Sequence, residues 1–260
     1  MKAETKEWKP RLLGNLKELH LPTIRESFAS LAEQARQESL GYEHYLLELT
    51  ERECEERSHK RVERLLKDSR LPLEKNLATF DLKRLPAKVL QQVRALLTGE
   101  FVERRENVLV FGAVGSGKTH LLCAISQELV RQGRRVYSNR CSLLVQDLLQ
   151  AKQDLRLPRV LKKLASYDAV LVDDLGYVQQ NREEMEVLFT FFAERYERGS
   201  VLLTSNLPFS KWEQIFRDPM TTAAAIDRLV HHSVIVELNL SSYRAEQAKK
   251  GNDKRGPSEP

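Results

Sequence analysis

One stretch of this chain constrains its fold more than any other: a short apolar run, a glycine-rich turn and the start of an apolar segment. The apolar run covers residues 108–111, and the turn reads Gly-Ala-Val-Gly-Ser-Gly-Lys-Thr over residues 112–119, with the spacing G-x-x-x-x-G-K-T. Glycines at this spacing let backbone N–H groups surround phosphates, while the lysine reaches the β- and γ-phosphates and the threonine hydroxyl holds Mg²⁺. The pattern predicts a strand, a phosphate-binding loop and a helix that together bind a nucleoside triphosphate.

The segment after the loop distinguishes a phosphate-binding loop from an ordinary glycine turn between core elements. Leu121, Leu122, Ala124, Ile125 and Leu129 are apolar at positions typical of a buried helix. A helix that starts at the loop presents the positive end of its dipole to the same phosphates. We therefore expect the phosphate contacts to come from Gly112, Ala113, Val114, Gly115, Ser116, Gly117, Lys118, Thr119 and His120.

A second apolar run supplies the carboxylates that a metal site at this loop needs. Residues 169–172 are apolar without interruption, which suits a strand buried on both faces, and Asp173 and Asp174 follow directly. We expect Asp173 to hold Mg²⁺ together with Thr119, and Asp174 to orient or deprotonate the attacking water. The two aspartates could instead cap the next helix, but the lysine of the loop favours the metal role.

Two further residues are candidates for catalysis on weaker grounds. Asn206 follows an apolar strand pattern, and the ligands of open α/β sheets lie at the carboxyl ends of strands. It would hydrogen-bond the attacking water or the γ-phosphate, although a simple turn through Pro208 explains the sequence equally well. Arg228 lies near the end of a predicted helix, where it either stabilises transition-state charge on a γ-phosphate or pairs with Asp227.

Strand and helix patterns alternate along the C-terminal part of the chain. The strand patterns occupy residues 107–111, 134–138, 168–172, 200–204 and 233–238, and helical patterns separate them. This alternation predicts an α/β domain with a five-stranded, mainly parallel sheet over residues 86–244.

The rest of the chain is organised differently. Residues 1–70 show helical periodicity, with charge pairs such as Glu53 and Arg57 at i,i+4 spacing, which predicts a small all-α domain for partner or DNA contacts. Residues 71–85 are the predicted linker between the two domains. The polar residues 245–260 are a predicted disordered tail.

Composition excludes several classes of protein. Charged residues make up 30% of the 260, and no apolar run is long enough to cross a bilayer, so we expect no membrane contact. The N-terminal residues contain no apolar signal core. Three cysteines without a C-x-x-C pair indicate neither a disulfide framework nor a zinc site, which fits a reduced, cytoplasmic protein.

Positive charge is concentrated in one part of the sequence. The formal net charge is +5, and residues 131–163 carry nine basic residues against only Asp147 and Asp154. A local surplus of this kind is typical of a surface that binds a polyanion. A set of ordinary solvated helix faces explains the same charges equally well.

The order of these motifs resembles that of the AAA+ ATPases, and within them the helicase-loader and initiator clade. The chain is most similar to the IstB family, the ATP-binding helper proteins of insertion-sequence transposition. The resemblance covers nearly the whole chain and rests on LLELTE at 46–51, LATFD at 77–81, GAVGSGKTHL at 112–121, DDLG at 173–176, DRLVHHS at 227–233 and SYR at 242–244. The DRLVHHS stretch is the more specific signal, because the loop and the paired aspartates occur in many ATPases.

The resemblance implies an ATPase whose cofactors are ATP and Mg²⁺, with hydrolysis stimulated by DNA or by a protein partner. Asn206 would be the first sensor, and Arg228 would be an arginine finger that acts on the ATP of a neighbouring subunit, so that the active sites lie between the subunits of a homo-oligomer. The family is understood to bind and deform duplex target DNA and to recruit and stimulate a cognate transposase. The DNA contacts would lie in the basic segment, at Arg134, Arg135, Arg140, Lys152, Arg156 and Arg159.

Two departures from the AAA+ pattern leave other functions open. Asp174 stands where many AAA+ enzymes have glutamate, and the short C-terminus offers Arg244 as the matching candidate for a second sensor. A helicase loader that grips single-stranded DNA is the main alternative, although the basic segment offers only Tyr137 for base stacking. A nucleotide-gated adaptor without useful turnover is the third hypothesis. A small-molecule kinase is disfavoured because the sequence contains no arginine-rich lid segment.

Overall fold

The structure is a computed structural model, and it describes residues 8–176, 181–212 and 219–242. The chain divides into two compact units, Met1–Arg64 and Leu65–Pro260. The sequence-predicted tail at residues 245–260 and the sensor candidate Arg244 lie outside the described residues. Among the helices that are described, none is both long enough and apolar enough to cross a membrane.

Three helices make up the described part of the first unit. They are α1 (Trp8–Glu18), α2 (Pro22–Gln37) and α3 (Tyr42–Ser69), the last of which continues past the unit boundary. The core of the unit is small and consists of the buried side chains of Leu16, Ile24, Phe28, Leu31 and Leu49. Because a core of this size contributes little free energy, polar contacts between the helices matter more than they do in a large domain.

The carboxylate of Glu53 in α3 is the main polar contact of this unit, and it caps the first turn of α2. Its Oε2 accepts hydrogen bonds from the backbone N–H groups of Thr23 (2.8 Å) and Ile24 (3.1 Å), and its Oε1 accepts one from Arg57 Nε (2.8 Å). Burial raises the pKa of this carboxyl, but these hydrogen bonds and the charge of Arg57 outweigh burial and hold the pKa below its ordinary value.

The second unit alternates strands and helices. Its helices are α4 (Ala87–Leu97), α5 (Glu100–Glu103), α6 (Lys118–Arg131), α7 (Cys141–Gln153), α8 (Leu157–Ala165), α9 (Arg182–Arg195) and α10 (Pro219–Val230). Its strands are β1 (Asn107–Gly112), β2 (Val136–Arg140), β3 (Ala169–Leu175), β4 (Ser200–Ser205) and β5 (Ser233–Leu238). Two single 3₁₀ turns lie at Leu82–Arg84 and Phe209–Lys211.

The five strands form one sheet in the order β2-β3-β4-β1-β5, and every neighbouring pair is parallel. This confirms the predicted α/β fold with a five-stranded parallel sheet. The residues of β1, β3 and β4 are almost all buried, as expected for the central strands of such a sheet. Because the strands are parallel, the segments that follow β1, β3 and β4 leave the sheet at the same edge.

Strand β2 begins two residues later than its sequence pattern predicts. Gly133, with φ of 86°, ends α6, and the N–H of Arg134 donates back to the carbonyl oxygen of Leu129 at 3.0 Å. Arg134 therefore belongs to the C-terminal cap of the helix rather than to the strand. As a result, Arg134 and Arg135 precede the amino end of β2, whereas Arg140 occupies its carboxyl end.

Candidate nucleotide-binding site

A cavity of about 930 Å³ lies at the edge of the sheet where the central strands end. Its lining includes residues 114–120 of the glycine-rich loop and α6, Asp173 and Asp174 near the end of β3, and Asn206 just after β4. Ligands of open α/β sheets bind at this position, outside the carboxyl ends of the strands. The structure thus brings together the loop, the two aspartates and the asparagine that the sequence singles out.

Glycine is needed where the loop passes close to other parts of the chain. Gly117 has φ of 97°, in the left-handed region, and a Cβ there would lie 3.3 Å from Phe80 Cε2. A Cβ at Gly112 would lie 2.5 Å from the carbonyl oxygen of Leu238 in β5, a distance that real side chains do not adopt. A larger residue at either position would therefore displace the loop.

Lys118 is the first residue of α6, and its side chain folds back onto the loop. Its Nζ donates hydrogen bonds to the carbonyl oxygens of Gly112 and Ala113, at 2.9 Å each. Burial lowers the pKa of the Lys118 ammonium group, and the charges of Asp174 and Asp173 offset part of that effect. The loop thus holds a positive charge at the wall of the cavity.

Ser116 gives the loop a buried hydroxyl without a partner. The residue is 2% exposed, and its Oγ makes no hydrogen bond to any other described residue. Buried hydroxyl groups are almost always hydrogen-bonded in folded proteins, so an unpaired one indicates a place for a further polar group. Together with the glycines and Lys118, this hydroxyl fits a phosphate group bound in the loop.

The carboxylate of Asp173 joins the loop to the sheet. Its Oδ1 accepts a hydrogen bond of 2.7 Å from Thr119 Oγ1 and one of 2.6 Å from Thr204 Oγ1. The hydroxyl of Thr204, in β4, also accepts the backbone N–H of Asp174 at 2.8 Å. Carboxylate and other oxygen atoms are the ligands of Mg²⁺ in proteins, so the oxygens of Thr119 and Asp173 fit that ion. Thr204 is a residue that the sequence did not single out for this role.

Asp174 adopts a backbone conformation that is uncommon outside glycine. Its φ is 62°, and the pairing of β3 with β4 shifts register between Val172 and Leu175, which marks a bulge at the two aspartates. Burial raises the pKa of the Asp174 carboxyl and the charge of Asp173 raises it further, while Lys118 lowers it. A carboxylate with a raised pKa at the wall of a cavity is suited to accept a proton.

The predicted linker lines the same cavity, a role that its sequence does not indicate. Gln127 in α6 donates from Nε2 to the carbonyl oxygens of Pro72 and Lys75, at 3.1 Å each. Phe80 packs edge-on against the ring of His120, with ring centroids 5.2 Å apart. Phe80 is the aromatic residue of the predicted linker, and it was the sequence signal that could have indicated this packing.

The end of β2 contributes Ser138, Asn139 and Arg140 to the cavity lining. Arg140 is aligned with Asp173 in the pairing of β2 with β3, and its charge opposes the burial that raises the pKa of Asp174. The sequence suggests Arg140 as a DNA contact, and the structure places it beside the aspartates instead of with the other candidates. Its contact with DNA stays a prediction.

The other candidates for DNA contact fall in two places. Before β2, Arg134 forms an ion pair with Glu103, and the guanidinium of Arg135 lies 5.2 Å from the centroid of the Tyr167 ring. The remaining three, Lys152, Arg156 and Arg159, lie around the corner between α7 and α8. Of the six residues, two therefore precede β2, one lies at its carboxyl end and three lie in or between α7 and α8.

Asn206 and Arg228 differ in their relation to the cavity. Asn206 is exposed and lines it. Arg228 lies in the last turn of α10, and its guanidinium stacks on Phe189 of α9, 4.6 Å from the ring centroid. The described residues that line the cavity do not include Arg228. The guanidinium is thus held on α9 and not at this cavity.

These elements define a class of protein. A parallel sheet in the order β2-β3-β4-β1-β5 carries a G-x-x-x-x-G-K-T loop after β1 and paired aspartates near the end of β3. This is the fold of the AAA+ proteins with a phosphate-binding loop, as the sequence predicts. The structure of AMPPCP-bound DnaA from Aquifex aeolicus has the same fold, with a TM-score of 0.55 and 20% identity over 74% of this chain and 58% of that one.

The chain belongs to the family of IstB-like ATP binding proteins, whose sequence profile matches residues 14–251. It is 40% identical, over 93% of its own length and 81% of the relative's, to a Sinorhizobium fredii protein named as an insertion sequence ATP-binding protein (y4iQ/y4nD/y4sD). It is 38% identical, over 92% of its own length and 89% of the relative's, to the Pseudomonas aeruginosa protein named as an ATP-binding protein of the insertion sequence IS21. The predicted family is confirmed.

Proposed function

We propose that this chain is an ATP-dependent, DNA-binding ATPase that assembles on duplex target DNA, deforms it and recruits a transposase in insertion-sequence transposition. The observation that carries the proposal is the hydrogen bond between Thr119 and Asp173 at a cavity that Lys118 also lines. Membership of the IstB-like family links this site to insertion sequences.

Each residue of the site has a defined part in the proposed hydrolysis. The loop and Lys118 bind the triphosphate of ATP, and Thr119 and Asp173 hold Mg²⁺. When bound, Mg²⁺ neutralises charge on the phosphates. Asp174 orients the attacking water and accepts its proton, and Asn206 donates a hydrogen bond to the γ-phosphate or positions the same water.

Arg228 completes the site of a neighbouring subunit in this proposal. Its guanidinium is held over Phe189 and does not line the cavity of its own subunit, which is the arrangement expected of a residue that acts in trans. An arginine directed at the γ-phosphate from another subunit accelerates hydrolysis by about 10³ to 10⁵. ATP would therefore favour a homo-oligomer with its nucleotide sites at the subunit interfaces.

Duplex DNA is the proposed polyanionic partner, and the cytoplasm is the proposed location. Lys152, Arg156 and Arg159 supply positive charge around the corner between α7 and α8. Contacts to phosphates carry little sequence information and make affinity fall steeply with salt concentration. An oligomer that binds the phosphates of the duplex along its length can bend the DNA and present the bent site to a transposase.

The helicase-loader alternative depends on aromatic side chains that stack on bases. Tyr137, the aromatic residue within the basic segment, is buried, with its ring 5.3 Å from that of Tyr167 and 5.3 Å from the guanidinium of Arg70. A side chain packed in this way is not available for base stacking, which argues for duplex backbone over single strands.

The first test measures binding to labelled duplex and single-stranded DNA with ATP, with ADP and without nucleotide, together with the mass of the particle formed. ATP-dependent assembly on duplex DNA supports the proposal. A tight preference for single strands supports the loader. Binding that is indifferent to nucleotide, without assembly, supports the adaptor, and phosphate release measured with and without duplex then separates an ATPase from an adaptor.

A further inference from the structure

One apolar side chain of the basic segment is almost fully exposed to solvent. Leu155 lies between α7 and α8 and is 90% exposed. Its φ is 55°, in the left-handed region. The N–H of Leu155 donates to the carbonyl oxygen of Lys152 at 3.1 Å, and the N–H of Arg156 donates to that of Ala151 at 2.7 Å. These two hydrogen bonds define a Schellman cap in which Leu155 occupies the position that favours glycine.

The fold has no need of a leucine at this position. The same cap ends α6, where the N–H of Gly133 donates to Val130 O and the N–H of Arg134 to Leu129 O, and there the left-handed position is glycine. A leucine at that position carries backbone strain, and its side chain also remains in water. Both effects disfavour leucine in the isolated chain, and burial of the side chain against a partner would offset them.

The surface around Leu155 is cationic. Helix α8 turns its apolar residues, such as Leu157 and Val160, toward the core of the sheet. Its basic residues Arg159, Lys162 and Lys163 are exposed on the opposite side.

Few carboxylates oppose this charge. Asp154 forms an ion pair with Arg156, and Glu186 of α9 lies 2.9 Å from Lys152. The carboxylates of the corner are thus engaged with Arg156 and Lys152, and no ion pair joins Arg159, Lys162 or Lys163 to another described residue. The charge that surrounds Leu155 complements a polyanion.

We propose that Leu155 is a wedge that enters the minor groove of duplex DNA and inserts between neighbouring base pairs, while Arg159, Lys162 and Lys163 hold the flanking phosphates. This inference rests on the proposed duplex binding and adds to it the residue that deforms the DNA. Proteins that kink DNA in this way insert a leucine, phenylalanine, isoleucine, methionine or proline into a base step and bind the backbone on either side. A single exposed apolar residue among cations fits this occupant better than a protein surface, which would need a broader apolar patch.

The test compares the full-length protein with Leu155→Gly and Leu155→Met, using duplex DNA labelled at both ends with a fluorescent donor and acceptor. Leu155→Gly relieves the left-handed strain, so it is expected to fold at least as stably as the parent protein. We expect it to lose the ATP-dependent bend while the slope of log affinity against log salt stays the same, because the phosphate contacts remain. Leu155→Met keeps an apolar wedge and is expected to keep the bend.

Ser39→Gly is the matched control, because Ser39 occupies the same cap position after α2, with φ of 54°, and is exposed. It should leave bending unchanged. A Leu155→Gly protein that bends DNA as the parent does would overturn the wedge. So would a Leu155→Gly protein that loses the bend together with the assembly of full-sized particles, since Leu155 would then contact protein. A parent protein that fails to bind duplex under any nucleotide condition would instead overturn the proposed function itself.

Discussion

Thr119 Oγ1 donates a hydrogen bond of 2.7 Å to Asp173 Oδ1, which joins the first turn of α6 to the end of β3. The two residues are far apart in sequence, and the sheet brings them together because β1 and β3 end at the same edge. Asp173 is 9% exposed, so its carboxylate is held by protein contacts more than by water. Any change at this contact alters the oxygen atoms that would hold Mg²⁺.

Thr204→Val tests the support of the aspartates. The hydroxyl of Thr204 is buried, donates to Asp173 Oδ1 and accepts the N–H of Asp174. Valine keeps the shape and removes both hydrogen bonds, which should destabilise the fold by about 1–3 kcal/mol. We expect ATP hydrolysis to fall by about tenfold or more, equivalent to ~1.4 kcal/mol of barrier, with nucleotide affinity little changed. Thr204→Ser keeps the hydroxyl, and its activity should stay close to that of the parent.

Lys118→Ala tests whether nucleotide controls DNA binding. The variant loses the ammonium group that lines the cavity and bonds to the carbonyl oxygens of Gly112 and Ala113. We expect no ATP-dependent gain in duplex affinity, as measured by titration of labelled duplex with and without ATP. Lys88→Ala removes an exposed lysine of α4 and should leave that gain intact. Full ATP-dependent binding by Lys118→Ala would contradict the proposed switch.

The loop and the aspartates could be predicted from the sequence because their chemistry depends on local spacing. The fold could also be predicted from local patterns, since alternating apolar strands and helices specify a parallel sheet. The role of the predicted linker could not be predicted, because it depends on a long-range contact between Gln127 and the carbonyl oxygens of Pro72 and Lys75. Thr204 was missed because a threonine in a buried strand pattern looks like any other β-branched residue.

The clustering of basic residues in the sequence was the least reliable guide to where those residues lie in the fold. Arg135 and Arg140 are near neighbours in sequence, yet they lie at opposite ends of β2. Arg135 contacts the ring of Tyr167, whereas Arg140 lines the nucleotide cavity. A count of basic residues along the sequence cannot separate these positions, because a strand carries successive residues from one edge of the sheet to the other.

Arg228→Ala and Lys118→Ala together test catalysis across subunits. Each variant alone should lose most ATP hydrolysis, Arg228→Ala by about 10³-fold. When the two variants are mixed, Arg228 of a Lys118→Ala subunit can act on the intact loop of an Arg228→Ala subunit. Part of the ATP hydrolysis should therefore return. Arg198→Ala, which removes an exposed arginine paired with Glu194, is the control and should retain activity. A mixture as inactive as its components would contradict the trans assignment.

Glu53→Gln tests the polar support of the helical unit through its pH dependence. The folded state holds the pKa of Glu53 below its ordinary value of 4.5, so the carboxylate stabilises the unit above that pH. This stabilisation is lost as the pH falls through the lower, folded pKa. Circular dichroism melts from pH 7 to pH 3 should show a shallower acid loss for Glu53→Gln, with lower stability at pH 7.

Glu56→Gln is the control for that experiment, because Glu56 is exposed and, among the described residues, forms its ion pair with Lys60. A surface pair of this kind contributes about 0–1 kcal/mol, so the variant should follow the parent protein at every pH. If Glu53→Gln and the parent protein lost stability in parallel, the capping role of Glu53 would be excluded.

Arg195 forms hydrogen bonds at the edge of the sheet opposite the nucleotide cavity. Its guanidinium is buried and donates to the carbonyl oxygens of Leu164 (3.0 Å), Tyr167 (2.7 Å), Asp168 (3.1 Å) and Ser200 (2.8 Å). One side chain therefore connects the last turn of α8 to the residues that begin β3 and β4. Burial lowers the pKa of this guanidinium to about 10, against the opposing charge of Asp168, so it stays protonated at neutral pH.

Arg195→Met is expected to be the most destabilising of the changes considered, because it removes four hydrogen bonds at a largely buried place. The carbonyl oxygens of Leu164 and Asp168 keep the N–H groups of Tyr167 and Ser200 as donors. Each lost hydrogen bond contributes about 0.5–1.5 kcal/mol, so a total loss of about 3 kcal/mol is expected. For a unit of this size that corresponds to a fall in Tm of about 6–12 °C, measurable by calorimetry. Arg198→Met, at an exposed arginine one turn away, should change Tm by no more than about 2 °C. Nucleotide affinity measured well below Tm should be unaffected by Arg195→Met, since the cavity lies at the other edge of the sheet. If the variant lost nucleotide affinity as well as stability, the two edges of the sheet would be coupled.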